Sequence, residues 1–395
     1  MGWNWVREIA TFNEVWVLTR RNNCEPIEKA LAEKPLQNVH WVFVDLPPWT
    51  CFWKKGGRGL RSYYMLWQFC AYSVARKLHR KIGFDLVHHL TFGTYWLPSV
   101  LSLLPVPFIW GPLGGGESEP RGFWNSLSLR GKFYEMLRDL VRALSHLNPI
   151  VHLSAKRAQV ALSKTEDTKN QLRVLGARHV IVYSEVGLDT DEIHRLNNMP
   201  TRCGGPFRLI SIGRLIHWKG FQLGLSAFAE LHRRFPASEY WLIGDGPERK
   251  RLERLVQKLG ITTSVRFWGS MARQQVLEKL MECDVLVHPS LHDSGGWVCV
   301  EAMAAGRPVI CLDLGGPAAQ VTEETGIKVP ATSPEQVVRD LAAAMNRFAI
   351  DPIHRQRLGE AGRRHARECF GWAEKIDFLC TMYSGIRSGR RPECV

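Results

Sequence analysis

The strongest constraint on this chain is a repeated alternation of short strand-like runs with amphipathic helical stretches. β-rich runs stand at Glu14–Leu18, His40–Val44, Asp85–His88, Pro107–Trp110 and Val180–Tyr183. A second series stands at Arg208–Ile212, Tyr240–Ile243, Val265–Trp268, Asp284–His288 and Pro308–Leu312. The segments between them carry apolar residues at helical spacing. Leu223, Ala227, Phe228, Leu231 and Phe235 form one stripe, Leu252, Leu255, Val256 and Leu259 a second, and Val276, Leu277, Leu280 and Met281 a third. Longer helices are expected from Tyr63 to Lys81 and from Leu129 to Leu144. Strand–helix alternation of this kind predicts an α/β fold whose parallel sheets are covered on both faces.

At 395 residues the chain is long enough for two such domains. Asn197–Pro206 is polar and rich in Gly and Pro, and reads as a linker. The expected organisation is two Rossmann-like domains with a cleft between them: 1–196, the linker 197–206, 207–370, and 371–395 as a terminal helix expected to pack back on the N-terminal domain. Ligands of such sheets bind beyond the carboxyl ends of the strands. Lys and Arg total 52 against 38 Asp and Glu, a net charge of +14 that attracts polyanions. The ten cysteines form no CxxC pair and no zinc spacing, so reduced thiols are expected. No secretory leader is visible, and the apolar run Val100–Trp110 is short and broken by Pro105 and Pro107. A soluble cytoplasmic or peripheral protein is expected.

Candidate ligand residues cluster after strands of the second half. Arg208–Ile212 runs into Gly213-Arg214 and then Lys219-Gly220. The two cations suit a diphosphate; the plainer reading is a pair of solvated surface charges. The loop Asp293-Ser294-Gly295-Gly296 precedes a helix near Trp297 that carries Glu301. Bare amides at a glycine-rich helix start favour anions. Asp293 could hold sugar hydroxyls and Glu301 a ribose, or both could be ordinary helix-start and surface acids.

The ordered set GRLxxxKG, GDGPE, VRFWG, DVLVHPS, D-x7-E-AMAAGRPVI and GG, from about Phe207 to Trp372, resembles the group 1 glycosyltransferases. This is the retaining GT-B family known as family 4. The resemblance implies a C-terminal domain that binds a nucleotide sugar and an N-terminal domain that binds the acceptor. It implies that Arg214 and Lys219 contact the donor diphosphate, that Ser294, Gly295 and Gly296 line the sugar and phosphates, and that Glu301 binds the ribose. Asp293, a catalytic candidate, stands where the family usually has Glu, and Gly295 replaces the usual aromatic. It further implies front-face chemistry with retention and no metal or other cofactor.

In the first half, His88-His89-Leu90 stands where the family often carries His-x-His, so His88 and His89 are catalytic candidates; a satisfied structural histidine is the alternative. Gly114-Gly115-Gly116-Glu117 follows a strand and would serve the acceptor, with a flexible loop as the plainer reading. No Lys-Ser/Thr follows, so it is not a P-loop. The resemblance leads one to expect a strand before the first helix, yet Met1–Trp5 already reads as the end of that loop. Trp49 to Lys81 mixes aromatics with cations, including Trp53, Lys54, Lys55, Arg58, Tyr63, Tyr64 and Trp67. Such a stretch suits an anionic membrane surface, or a core face with a solvated back.

The expected reaction is transfer of a hexose from a UDP- or GDP-linked donor, such as UDP-glucose or GDP-mannose, to a glycan, lipid-linked or small-molecule hydroxyl. Polysaccharide or cell-envelope assembly is the context the resemblance implies. The alternative is a weak or inactive homologue acting as a binding partner. No nucleic-acid partner is expected, and no GxGxxG after a strand supports a nicotinamide enzyme.

Overall fold

The computed structural model describes residues 2–50, 59–127, 129–198, 202 and 204–389. Helix α1 (Gly2–Ile9) leads to strand β1 (Val15–Thr19), α2 (Cys24–Glu33), β2 (Val39–Phe43) and the long α3 (Leu60–Ile82). Strands β3 (Val87–His89) and β4 (Phe108–Leu113) follow, then α4 (Leu129–Ser145), α5 (Pro149–Arg157), β5 (Ala158–Ser163), α6 (Glu166–Val174) and β6 (Val180–Val182). Next come α7 (Thr190–Asn197), β7 (Arg208–Ile212), α8 (Phe221–Arg234), β8 (Glu239–Ile243), α9 (Arg249–Leu259) and β9 (Val265–Gly269). Then follow α10 (Arg273–Met281), β10 (Val285–His288), α11 (Trp297–Ala304), β11 (Val309–Leu312), α12 (Gly315–Gln320) and β12 (Gly326–Val329). Helices α13 (Pro334–Ile350), α14 (Pro352–Phe370) and α15 (Trp372–Arg387) come last.

The chain divides into two compact units. The first comprises Met1–Gly116, Leu140–Glu185 and the segment from Lys375 on; the second comprises Glu117–Asp139 and Val186–Glu374. The boundary near 196 expected from the linker therefore moves back to Glu185/Val186. The reason is burial: Val186, Leu188, Ile193 and Leu196 lie in a core cluster with Ile210, Leu286 and Met303. Glu117–Asp139, expected in the first domain, also groups with the second, where Phe123 is buried in the same core cluster as Leu209 and Phe228.

The second unit holds a six-stranded, all-parallel sheet in the order β12-β11-β10-β7-β8-β9. The order reverses between β7 and β10, so the loops after these two strands open at the switch point where such sheets bind ligands. The predicted helical stripes supply the covering layers, with Leu223, Ala227, Phe228, Leu231, Leu252 and Val256 all buried. Helix starts are capped locally. Ser333 accepts from the Gln336 amide ahead of Pro334, and Thr165 accepts from the Thr168 amide at the start of α6.

The first unit is built differently. β1 and β2 form a parallel pair, while β3-β4-β5-β6 form a separate parallel sheet. Gly2–Ile9 is a helix, and among the described residues no strand pairs with the free edge of β1 or of β3. Both strands line one cavity of about 1050 Å³. Of the basic aromatic stretch, residues 51–58, with Trp53, Lys54, Lys55 and Arg58, lie outside the described residues. Tyr63, Tyr64 and Trp67 face inward, clustered with Val44, Leu46 and Ala71, because they occupy the apolar stripe of α3. The Trp67 Nε1–H donates to the Val44 carbonyl at 2.8 Å, so these rings are core rather than a surface patch.

Candidate functional site

Strand β7 ends at Ile212 and the chain turns through Gly213, Arg214 and a 3-10 turn at His217–Lys219. Gly220 follows with φ +64, and a Cβ there would lie 1.9 Å from the Pro289 carbonyl oxygen. Only glycine lets the β7 loop close so tightly on the end of β10. That closure sets the Lys219 ammonium on the Asp293 carboxylate, with both side chains largely withdrawn from solvent. Arg214 is exposed.

Asp293 is held from several sides. His288, the last residue of β10, places Nε2 at 3.0 Å from Asp293 Oδ2, and the Gly295 amide donates to Oδ1 at 3.2 Å. The Gly316 amide donates to the Asp293 carbonyl at 2.7 Å, and the Gln320 side chain donates to the Gly295 carbonyl. Burial raises the Asp293 carboxyl, but the His288 hydrogen bond and the Lys219 charge outweigh it and hold the group well below the usual carboxylate range. Burial is also the largest influence on His288 and lowers its pKa. The ring is thus neutral near pH 7, with its proton on Nε2 toward the carboxylate.

Gly296 caps the start of α11 in the left-handed region, and Glu301 sits one turn in, buried. The Arg273 guanidinium donates to Glu301 Oε1 from Nε at 3.1 Å and from Nη2 at 2.6 Å, and it also pairs with Glu192 at 2.6 Å. Burial raises the Glu301 carboxyl, and Arg273 offsets part of that rise.

A second polar cluster had no signal in sequence spacing. Glu135, from α4, is buried, and its Oε1 meets His217 Nε2 at 2.9 Å and His292 Nε2 at 3.1 Å. Arg138 Nη1 donates to Glu135 Oε2 at 3.1 Å. Burial raises the Glu135 carboxyl, but the two imidazoles and Arg138 overcome this and hold it ionised. Above the cluster Trp218 stacks between Tyr134 and His292, with ring centroids 5.1 Å apart on each side. Glu117 is buried with its stem against Gly315, so it belongs with the Asp293 loop in the second unit. His217 and Trp218 directly precede Lys219, which is the one hint the sequence carried.

Beside this cluster Ser118, Glu119, Arg121, Trp124, Glu135 and Asp139 line a cavity of about 370 Å³. Both Glu119 carboxylate oxygens are buried there with no hydrogen-bond partner among the described residues. Burial, then repulsion from Glu135, pushes this carboxyl up from 4.5 to about 8. Across that window the folded chain keeps a proton that the unfolded chain releases. This group's contribution to stability therefore falls as pH rises from 4.5 to about 8. Glu119→Gln stays neutral throughout. Its melting temperature should pull ahead of the parent by roughly 2–6 °C across the window and hold that lead above it. A lead independent of pH would sink the assignment.

In the first unit, His88 has both ring nitrogens engaged: Nδ1 lies 2.6 Å from Tyr383 Oη and Nε2 2.8 Å from the Gly111 carbonyl. His89 Nε2 lies 2.7 Å from Tyr64 Oη and 2.7 Å from the Thr91 carbonyl, while its buried Nδ1 has no partner among the described residues. Burial lowers both imidazoles to about 4. Gly114–Gly116 is packed rather than flexible. A Cβ at Gly115 would lie 2.3 Å from the Trp96 ring, and one at Gly116 would lie 2.4 Å from the Thr168 backbone. The structure thus gathers Arg214, Lys219, Asp293, Ser294, Gly295, Gly296, Glu301 and Glu117 in the second unit, and His88, His89 and Gly114–Gly116 in the first.

The family described as glycosyl transferases group 1 matches residues 199–365. A glycogen synthase of Mycobacterium tuberculosis is 29% identical over 188 residues, which cover 47% of this chain and 44% of that protein. The matched region thus spans under half the length of that relative. The sucrose-phosphate synthase structure from Thermosynechococcus elongatus superposes with TM-score 0.63 at 20% identity, covering 98% of this chain and 93% of that one. Anabaena Alr3699/HepE, solved with UDP, superposes with TM-score 0.64 at 16% identity, covering 96% and 95%. Residues 199–365 thus match the glycosyl transferases group 1, and the fold of the chain is GT-B.

Proposed function

We propose that the chain is a retaining, metal-independent hexosyltransferase whose donor is a UDP- or GDP-linked sugar bound in the second unit. The observation that carries this reading is the Lys219–Asp293 pair at the β7/β10 switch point, with His288 behind it. Without a donor, Asp293 neutralises Lys219. A diphosphate competes for that ammonium and draws Arg214 in from solvent. Asp293 is then free to accept hydrogen bonds from sugar hydroxyls while His288 keeps it oriented. The start of α11 at Gly296 faces the developing phosphate charge while the Gly295 amide holds Asp293, and Glu301, steadied by Arg273, accepts from the ribose.

In the reaction the acceptor oxygen bonds to the anomeric carbon on the face from which the diphosphate leaves. The carbon–oxygen bond to the diphosphate breaks, and the hydroxyl proton passes to the departing phosphate oxygen. Lys219 and Arg214 stabilise that leaving group. Glu117, His88 and His89 are assigned to the acceptor side, the two neutral imidazoles as hydrogen-bonding and positioning groups. The acceptor is a hydroxyl of a glycan, a lipid-linked sugar or a small molecule.

The test is thermal stabilisation by UDP, GDP, ADP and their hexose conjugates. A nucleotide at about 100 times its Kd adds roughly 2.7 kcal/mol, a shift of several degrees. We expect one nucleotide family to give that shift, unchanged by EDTA and abolished in Arg214→Ala. A hexosyl product with the donor's anomeric configuration by NMR completes the assignment. No shift with any member of the panel would overturn the reading in favour of the non-catalytic binding partner.

A further inference from the structure

Helix α4 is inside out. Its inward face is polar: Gly131, Glu135, Arg142 and Ser145 are buried and Arg138 nearly so. Each charge there is matched. Glu135 meets His217 and His292, and Arg138 donates to Glu135 and the Glu117 carbonyl. Arg142 donates to Tyr95 Oη and to the Gly116 carbonyl. The outward face is apolar. Leu129 is 86% exposed, Phe133 68%, Met136 59%, Leu137 50%, Leu140 55% and Leu144 54%. Steps of three and four residues put all six on one stripe of the helix. A helix that turns its salt bridges inward and its leucines to water is stable only because the polar face is fully paired. The exposed stripe is far larger than the single apolar residues a protein surface normally carries.

We propose that this stripe docks on an anionic lipid surface, with α4 lying in the plane of the headgroups. Seventeen residues make a rod about 25 Å long, which suits lying in the interface. Among the described residues no helix is long and apolar enough to cross a membrane. Charge selects the occupant. The chain carries +14, so two copies meeting face to face repel, whereas an anionic surface attracts each of them. Exposed Arg130, with Lys132, stands at the start of the stripe, placed to meet lipid phosphates. Within Trp49–Lys81, for which the sequence suggested the same kind of contact, Tyr63, Tyr64 and Trp67 are core. This inference does not depend on the donor assignment.

The experiment is co-sedimentation of the full chain, without nucleotide, with vesicles of phosphatidylcholine alone or with about 30% phosphatidylserine, at low and high salt. We expect binding to the anionic vesicles at least about tenfold stronger than to the neutral ones, weakened by salt. Leu137→Glu/Leu140→Glu should lower it by about tenfold or more while the melting temperature holds, because both positions are exposed. A comparison variant, Lys77→Glu/Arg80→Glu on α3, should bind nearly as the parent does. Equal binding by the Leu137→Glu/Leu140→Glu variant overturns the proposal, as does loss confined to the α3 variant. A dimer by light scattering that this leucine variant dissolves, with no vesicle binding by the parent, overturns it in favour of a second copy.

Discussion

Lys219→Ala should weaken nucleotide diphosphate binding by about a hundredfold or more, the equivalent of roughly 2.7 kcal/mol, since it removes one charge-assisted contact from a site largely withdrawn from water. The same change leaves the Asp293 carboxylate with only His288 and the Gly295 amide, and no cation, among the partners described above. Breaking a buried pair costs about 3–5 kcal/mol, and both partners here keep some exposure, so a loss of about 2–4 kcal/mol in stability is expected. The two effects separate in a cycle. Asp293→Asn combined with Lys219→Ala should recover most of the stability, because no charge is stranded, yet should recover none of the nucleotide affinity. If the double variant binds nucleotide like the parent, Lys219 is a structural partner of Asp293 and not a phosphate ligand.

Gly220→Ala should be the most damaging single-methyl change near the site. Alanine in the left-handed region costs about 1–2 kcal/mol by itself. The added Cβ also meets the Pro289 carbonyl oxygen at 1.9 Å, and backbone has no rotamer with which to yield. We expect about 3 kcal/mol or more lost in denaturant melts, with the β7 and β10 loops forced apart and nucleotide affinity falling alongside. Gly260→Ala is the control. It sits at φ +71 with nothing within 4 Å of its Cβ, so it pays the left-handed cost alone. Equal losses in the two variants would show that the Gly220–Pro289 contact is not tight.

Much of the fold was legible because its signals are local. All ten strand-like runs became strands within a few residues, and the α8 and α9 stripes became buried faces. The two overlooked strands, β5 with the sequence AQVALS and β12 with GIKV, lack a continuous β-branched run and are defined by their neighbours in the sheet. The loops after β7 and β10 were visible because a strand end followed by glycine and charge is a local pattern. The Glu135–His217–His292 cluster was not, since its partners lie 82 and 157 positions apart. The direction of α4 was equally hidden. Its period was plain, but which face turns inward depends on His217, His292 and Tyr95, and hydrophobicity alone points the wrong way.

The divided sheet of the first unit has a consequence for handling the protein. β1 and β3 each present a row of backbone donors and acceptors that no neighbouring strand takes up among the described residues, and apolar Trp16, Leu18 and Val87 stand along them. A two-stranded ribbon such as β1–β2 has little cooperative strength of its own. Open edges of this kind are templates for chain-to-chain pairing. Self-association at high concentration is therefore a hazard concentrated in the first unit, while the six-stranded sheet keeps its four inner strands paired on both sides.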